Sequence, residues 1–407
     1  MKLIGPFSQI LPLSGLPLKG ALCDEQLQVI ENGGIIVDEE RIVAVDDFVR
    51  LRQQYPQCSL LRIETPAVLL PGFIDCHTHI CFDGTRSRDY AMRIAGKSYL
   101  EIARAGGGIW DSVTKTRIAG IDTLTANTVL RANRHLQEGV TTIEVKSGYG
   151  LNLMDELKML HAIRLAGLQT KATLIPTCLA AHMRPKDFEG SDETYLHWVL
   201  NMLLPEISAS QLAKRVDIFI EETAFSPSVA LTFLQEARAL GFITTVHADQ
   251  FTCGGSAVAV AAGAVSADHL EASDDAAIAQ LAAADIVAVV LPGASLGLGM
   301  QYAPARKLLD AGACVAIASD WNPGSAPMGD LLLQAAVMSA AQKLSAAEVF
   351  SGLTFRAAKA LQLPSVGQLA AGFAADMQAY PCSDYRDILY YQGKMKPVTV
   401  WKNGVKI

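Results

Sequence analysis

The sequence predicts an α/β protein built on a (β/α)8 TIM-like barrel. Between about residues 70 and 360, short apolar runs rich in β-branched residues alternate with longer segments rich in alanine and leucine. Such an alternation is typical of parallel strands that are buried on both faces and joined by helices. Eight units over roughly 290 residues fit a barrel, whose usual size is about 250 residues. An open doubly wound sheet is the alternative, but no glycine-rich dinucleotide fingerprint follows the first strand.

Eight segments carry the predicted strands of the barrel. In chain order they are LLPGFIDCHTH, TTIEVKSGYG, ATLIPTCLAAH, VDIFIEETAF, ITTVHADQF, AVSADHLEA, DIVAVVLPGAS and CVAIASDWNPGS. The two ends of the chain differ from this pattern, because they hold strand-like pieces without long helices between them. Chain termini usually lie near one another, so we predict that the two ends pair in one small β-sandwich-like domain. The predicted division is residues 1–69 plus 366–407 for that domain and 70–365 for the barrel.

The composition excludes several classes of protein. Half of the 407 residues are hydrophobic and 18% are charged, which predicts a large buried core. The formal net charge is −7, with acidic and basic residues mixed along the chain, so a nucleic-acid-binding surface is not indicated. A small-molecule substrate is the better expectation.

The cysteines and the apolar segments indicate a cytoplasmic protein. Eight cysteines are scattered without a repeating spacing, as expected for reduced thiols. Pro6, Pro12 and Pro17 interrupt the apolar start of the chain, which argues against a signal peptide. The long apolar stretch LAAADIVAVVLPGASLGLGM contains Asp285 and a Pro-Gly pair, so we expect buried helix, strand and loop there and no membrane span.

Polar residues at the ends of the predicted strands indicate a metal site. His77 and His79 are two residues apart, so one strand points both imidazoles to the same side. The fifth, sixth and eighth strands end in His247, His269 and Asp320. Three neutral imidazoles and one carboxylate suit a single Zn²⁺ or Fe²⁺ with a position left for water. A bound water of lowered pKa would make hydrolysis the natural reaction.

The motifs around these residues resemble those of the amidohydrolase superfamily and, in finer detail, the imidazolonepropionase family. The matching stretches are PGFIDCHTH, FDGTR, AGGGI, EVKSGYGL, PTCLAAH, HADQFTCGG and SDWNPGS, which lie between about residues 71 and 325. The resemblance implies hydrolytic opening of the ring of 4-imidazolone-5-propanoate to N-formimidoyl-L-glutamate in histidine degradation. It also implies a small-molecule substrate with a carboxylate tail, and a homodimer.

Carried over residue by residue, the resemblance implies a complete site. The metal ligands would be His77, His79, His247 and Asp320. The residues that contact substrate or product would be Arg86, Tyr149, His182, Gln250, Asn322, Gly324 and Ser325. A planar guanidinium at Arg86 suits the carboxylate of the substrate. Each of these residues also has an explanation without a role in binding. Arg86 could be solvated, Tyr149 could pack in a turn, and His182 could be an ordinary loop histidine. Residues 322–325 could simply form a turn.

Gln250 marks a departure from some relatives, which carry glutamate at this place. An amide can orient a ring by hydrogen bonds, but it cannot accept the proton of water. The catalytic proton acceptor is therefore expected to be Asp320 or His269, and the sequence does not choose between them.

Other candidate ligands are set aside. Three histidines fall in helix-like segments and are expected to be surface or packing residues: His135, His161 and His197. Cys76 alternates away from the histidine face, and Cys81 lies beyond the strand end. Lys146 is similar to the carbamylated lysine that bridges two metals in other amidohydrolases, but it lies on the second strand and not the fourth. A one-metal site is therefore favoured.

Two other functions compete with this interpretation. The chain could be another amidohydrolase, one that deaminates an aminated ring or opens a different cyclic amide. A nucleobase substrate, however, would offer no anionic partner for Arg86. A barrel kept only as an assembly module would be expected to lose metal ligands, and this chain retains every one.

Overall fold

The N-terminal segment forms most of a sheet before the barrel begins. The computed structural model describes residues 1–97 and 99–407, with the backbone alone at 99, 100 and 103. The elements of this segment are β1 (Lys2–Ile10), a 3-10 turn (Asp24–Gln26), β2 (Ile30–Asp38), β3 (Arg41–Asp47), α1 (Phe48–Gln54), β4 (Ser59–Arg62) and β5 (Val68–Pro71). β1 pairs with β2 antiparallel and with β4 and β5 parallel.

The eight predicted barrel strands are all present and all parallel to their neighbours. They are β6 (Phe73–Asp75), β7 (Val140–Lys146), β8 (Thr173–Ala181), β9 (Arg215–Phe219), β10 (Ile243–Ala248), β11 (Ser266–His269), β12 (Val287–Val290) and β13 (Cys314–Ile317). A parallel bridge between Thr78 and Trp321 joins the two outer strands of this order. Backbone hydrogen bonds from His79 N to Trp321 O at 2.9 Å and from Asp320 N to His77 O at 3.1 Å flank that bridge. The sheet therefore forms a nearly closed barrel and not an open doubly wound sheet, and residues from its joining edge enter the site.

Helices cover the outside of the barrel. They are α2 (Ser87–Ile94), α3 (Tyr99–Arg104), α4 (Ile109–Ile118), α5 (Ile121–Gln137), α6 (Leu153–Gln169), α7 (Asp192–Trp198), a π-helical turn (Val199–Leu203), α8 (Leu204–Ala209), α9 (Pro227–Ala239), α10 (Gly255–Ala262), α11 (Asp275–Ala283), α12 (Pro292–Leu298), α13 (Ala305–Asp310), α14 (Leu331–Gln342), α15 (Ala346–Gly352) and α16 (Phe355–Leu361). Polar side chains cap several of them: Asn152 accepts from Asp155 N, and Ser345 forms a capping box with Glu348. None of the described helices is both long and apolar enough to cross a membrane.

The C-terminal segment completes the first sheet. Its elements are β14 (Met377–Tyr380), α17 (Arg386–Tyr390), β15 (Thr399–Lys402) and β16 (Val405–Lys406). β14 pairs antiparallel with β5, so the two chain ends pair as predicted, and their strands form one sheet. Phe7 and Trp401 meet edge to face in its core, with ring centroids 6.4 Å apart. The division at residues 69/70 and 365/366 stays a prediction.

Candidate metal centre and substrate cavity

A cavity of about 540 Å³ lies at the carboxyl ends of the barrel strands. Parallel barrels present functional side chains at this end, because each strand is followed there by a loop. All but one of the predicted site residues line the cavity: His79, Arg86, Tyr149, His182, His247, Gln250, His269, Asp320, Asn322, Gly324 and Ser325. His77 is the exception, because it is fully buried beside His79.

Four potential ligand atoms converge at the base of this cavity. His79 Nε2 lies 3.3 Å from His77 Nε2 and 3.2 Å from His247 Nε2. Asp320 Oδ1 lies 3.5 Å from His77 Nε2 and 3.4 Å from His79 Nε2. Ligand atoms bonded at about 2.0–2.1 Å to one tetrahedral ion lie about 3.3–3.4 Å apart, so this donor set fits a divalent cation. A second group within the same cluster combines His77, Asp320 and His269.

The protonation states of these residues suit metal binding. Burial lowers the pKa of His79 and of His247 to about 4 each, and it takes the pKa of His77 well below its usual value. Burial would raise the pKa of Asp320, but hydrogen bonds with His77 and His79 hold it well below its usual value. Neutral imidazoles and an ionised carboxylate are the forms that coordinate a cation near neutral pH.

Buried carboxylates stand behind two of the ligand histidines. Asp268 Oδ2 lies 2.7 Å from His77 Nδ1, and Asp217 Oδ2 lies 3.0 Å from His247 Nδ1. A carboxylate at Nδ1 fixes the ring so that Nε2 faces the ion. Burial raises the pKa of Asp268 to about 7, while the ammonium of Lys146 acts to lower it. Burial also opposes ionisation of Asp217, but His247 and Lys146 hold its pKa well below the usual value.

The backbone is strained where the sixth and eighth strands end. φ is +88° at His269, +74° at Leu270 and +51° at Asp320. Such values are uncommon for residues other than glycine and cluster at functional sites. Glu271 Oε2 lies 3.5 Å from His269 Nδ1, and this carboxylate raises the pKa of His269 although burial opposes it.

The loop after the eighth strand holds the carboxylate of Asp320. Asn322 Nδ2 donates to Asp320 Oδ2 at 2.8 Å, and Ser325 Oγ donates to the same oxygen at 3.1 Å. Asn322 Oδ1 also accepts from the backbone N–H groups of Gly324 and Ser325, at 2.7 and 2.8 Å. Residues 322–325 therefore form a hydrogen-bonded turn, as the ordinary explanation predicts, and three of them also line the cavity. Contact of these residues with substrate stays a prediction.

Arg86 crosses the wall of the cavity beside this loop. Its Nε donates to Asp89 Oδ2 at 2.8 Å, and the same oxygen accepts from Gly108 N at 2.8 Å. A Cβ added at Gly324 would lie 2.2 Å from Arg86 Nη1, so the guanidinium packs directly on that glycine. The AGGGI motif thus supports Arg86 through Asp89, and the Arg86 side chain lines the cavity.

Tyr149 and His182 form a neighbouring part of the wall. Burial raises the pKa of the Tyr149 phenol, which stays protonated and able to donate. His182 Nδ1 donates to Gly148 O at 3.0 Å, and burial lowers the pKa of this ring to about 3. The His182 ring stacks on His79 with centroids 5.6 Å apart. The neutral ring therefore offers Nε2 as an acceptor.

Comparison with known proteins places this site in a family. The sequence profile of the Amidohydrolase family matches residues 68–407. An imidazolonepropionase from Myxococcus xanthus is 43% identical over 82% of this chain and 80% of its own length, and one from Bdellovibrio bacteriovorus is 37% identical over 100% and 96%. The chain belongs to the imidazolonepropionases of the amidohydrolase family.

Solved structures agree with the fold of this family. Atrazine chlorohydrolase TrzN from Arthrobacter aurescens TC1, complexed with zinc, superposes with a TM-score of 0.70 at 16% identity over 100% of this chain and 95% of its own. An adenosine deaminase from Xanthomonas campestris with bound zinc gives 0.68 at 19% identity over 99% and 92%. At these identities the likeness concerns the fold alone. As a member of the imidazolonepropionase family the chain is a hydrolase, and its histidine and aspartate cluster is consistent with a divalent metal.

Several residues that support the cavity were missed from the sequence. Glu156 Oε1 accepts from the backbone N–H groups of Gly148, Gly150 and Leu151 at 3.2, 2.8 and 2.8 Å, which fixes the loop of Tyr149. Glu221 Oε1 accepts from Phe251 N and Thr252 N at 2.7 and 3.1 Å, next to Gln250. Asp217 and Asp268 were missed as well. They are charged residues inside buried strands, and this feature of the sequence could have marked them as residues of the site.

The residues set aside as ligands lie outside the cluster. His135 is fully buried, and its Nε2 lies 3.0 Å from Asp75 Oδ2. Its ring packs against that of Trp321, with centroids 4.7 Å apart, so His135 is a packing residue as predicted. His161 and His197 lie on helices and do not line the cavity. The thiols of Cys76 and Cys81 are buried in apolar clusters.

Proposed function

We propose that this protein hydrolyses 4-imidazolone-5-propanoate to N-formimidoyl-L-glutamate in the degradation of L-histidine. One observation carries the proposal. A cavity of about 540 Å³ has a histidine and aspartate cluster at its base and the guanidinium of Arg86 in its wall. A ring amide with a carboxylate tail matches both features, and the names of the relatives agree with this substrate.

We propose one divalent ion per chain, Zn²⁺ or Fe²⁺, held by His77, His79, His247 and Asp320. An ion of this kind lowers the pKa of a water molecule and polarises a carbonyl group. The distances of 3.2–3.5 Å between the donor atoms support this ligand set. Metal availability often decides between such ions, so metal analysis has to identify the native one.

The remaining residues of the cavity bind and orient the substrate. Arg86 would pair its guanidinium with the propanoate carboxylate. The Tyr149 hydroxyl and the neutral His182 ring would hydrogen-bond the same molecule, while Gln250 would orient its ring. The backbone at Gly324 and the side chains of Asn322 and Ser325 would contact substrate or product. This arrangement supports a substrate with one anionic end.

Proton transfer falls to His269 or Asp320. Water adds to the ring carbonyl carbon, the C–N bond of the ring breaks, and the proton of water ends on the departing nitrogen. Asp320 faces the ligand cluster through Oδ1, and His269 faces Glu271 through Nδ1. Gln250 has no basic atom for this step.

Purified protein should consume 4-imidazolone-5-propanoate, which is measured as loss of the absorbance of the imidazolone ring. It should also contain close to one metal ion per chain. The matched substrate is the same ring with the tail carboxylate converted to an amide, which should react far more slowly. Equal rates for both compounds, or no reaction with the acid in metal-loaded protein, would contradict the proposal. We further propose that the protein is cytoplasmic and forms a homodimer; light scattering of the pure protein tests the dimer.

A further inference from the structure

Lys146 is a fully buried ammonium surrounded by carboxylates. Its Nζ lies 2.7 Å from Glu144 Oε1, 2.8 Å from Asp217 Oδ2 and 4.0 Å from Asp268 Oδ2. None of these four side chains is more than 1% exposed. Burial would lower the pKa of Lys146, but Asp217, Glu144 and Asp268 raise it, so the side chain is charged.

Two of these carboxylates connect Lys146 to different ligand histidines. Asp217 contacts His247 Nδ1 at 3.0 Å, and Asp268 contacts His77 Nδ1 at 2.7 Å. The two aspartates therefore lie between Lys146 and the imidazoles of His247 and His77. It comes from β7, whereas the two histidines come from the first and fifth barrel strands, so one cation couples distant parts of the barrel.

A single partner would be enough for a merely structural lysine. Glu144 Oε1 is such a partner, and it also accepts from Thr177 Oγ1 at 2.6 Å. Lys146 also contacts Asp217, a second buried carboxylate. Burying an ionised carboxylate costs free energy unless a cation is paired with it. The ammonium thus makes it favourable to keep an ionised Asp217 at the imidazole of His247.

We propose that Lys146 is a positioning residue for the metal centre, which fixes Asp217 and Asp268 behind His247 and His77 so that both Nε2 atoms face the same point. The inference rests on the proposed metal site. It assigns to Lys146 a role through other residues, without contact to metal or substrate. It also accounts for the lysine of the EVKSGYGL motif, because a lysine paired in this way is not free to bridge two metals.

The test separates pairing with Glu144 from positioning of the aspartates. Lys146→Met alone leaves buried carboxylates without their cation and risks misfolding. Lys146→Met with Glu144→Gln removes one positive and one negative charge. Asp217 and Asp268 remain, but each still faces an imidazole, that of His247 or of His77, so the folded barrel should survive. Co²⁺ is the probe: its dissociation constant is measured by competition with a chelator, and its visible absorption reports the ligand geometry.

The double variant should melt within a few degrees of wild type in the metal-free form and bind Co²⁺ about 10–100-fold more weakly, with an altered absorption spectrum. Glu144→Gln alone should bind Co²⁺ like wild type. Lys402→Met is the matched control, because Lys402 is a buried lysine paired with Asp376 in the other sheet. It should lower the melting temperature without changing Co²⁺ affinity.

Wild-type affinity and spectrum in the double variant would overturn the inference, because Lys146 would then serve only Glu144. A double variant that does not fold would also contradict it, since Lys146 would then be a structural residue of the core. Failure of the wild-type protein itself to bind Co²⁺ would instead refute the proposed metal site. Binding and absorption, and not turnover, therefore decide the role of Lys146.

Discussion

Replacing Gly324 by alanine should displace the guanidinium of Arg86 far more than it displaces its other neighbour, Asn322. The added Cβ would lie 2.2 Å from Arg86 Nη1, 2.9 Å from its Cζ and 3.3 Å from Asn322 Oδ1, whereas ordinary contacts begin at 3.4 Å. The backbone of Gly324 is outside the left-handed region, so alanine fits its conformation. The guanidinium must therefore retreat by roughly 1 Å, a displacement that can cost about 10²-fold when it affects a positioned group.

The size of the effect follows from the bonds at risk. A hydrogen bond to a charged group contributes about 1.5–3 kcal/mol, and each 1.4 kcal/mol is about tenfold in affinity. Loss of one bond between Arg86 and the carboxylate should raise KM by about 10–100-fold. The metal ligands and His269 are untouched, so kcat should fall much less, as expected when uniform binding is lost.

Steady-state kinetics with the imidazolone substrate, together with thermal unfolding, measure this effect. Gly120→Ala is the control, because nothing lies within 4 Å of the Cβ that it would add. In an Arg86→Ala background, the Gly324→Ala change should have almost no further effect on KM. The reasoning is refuted if Gly324→Ala leaves KM unchanged, or if it raises KM equally with and without Arg86.

Three further outcomes are expected. The double change His77→Ala, His79→Ala should abolish both metal content and turnover, and stoichiometric metal in that variant would refute the site. His269→Ala should lower kcat by about 10²-fold or more with the metal retained, whereas Gln250→Ala should mainly raise KM; the reverse pattern at saturating substrate would move the critical role to position 250. Asp89→Asn should raise KM with little change in kcat, because a neutral amide holds Arg86 less firmly; an effect confined to kcat would contradict that role.

The barrel and the side chains that line its cavity could be predicted from the sequence alone. Each strand is a local apolar run, and an i, i+2 spacing such as His77 and His79 fixes which side chains share a face without knowledge of any distant residue. The end of a parallel strand is also visible in the sequence, so His247, His269 and Asp320 could be placed together. The family motifs then supplied Arg86 and the other substrate residues.

The residues that support those side chains from behind are visible only in the folded chain. Asp268 contacts His77 across 191 residues, and Lys146 reaches Asp217 from a strand two positions away in the barrel. No local pattern encodes these pairs, because a charged residue in a strand has the same sequence signature whether it is paired or not. The packing of Arg86 on Gly324 likewise depends on how two loops approach each other. Closure of the barrel creates these contacts, since it brings the ends of distant strands within hydrogen-bonding distance.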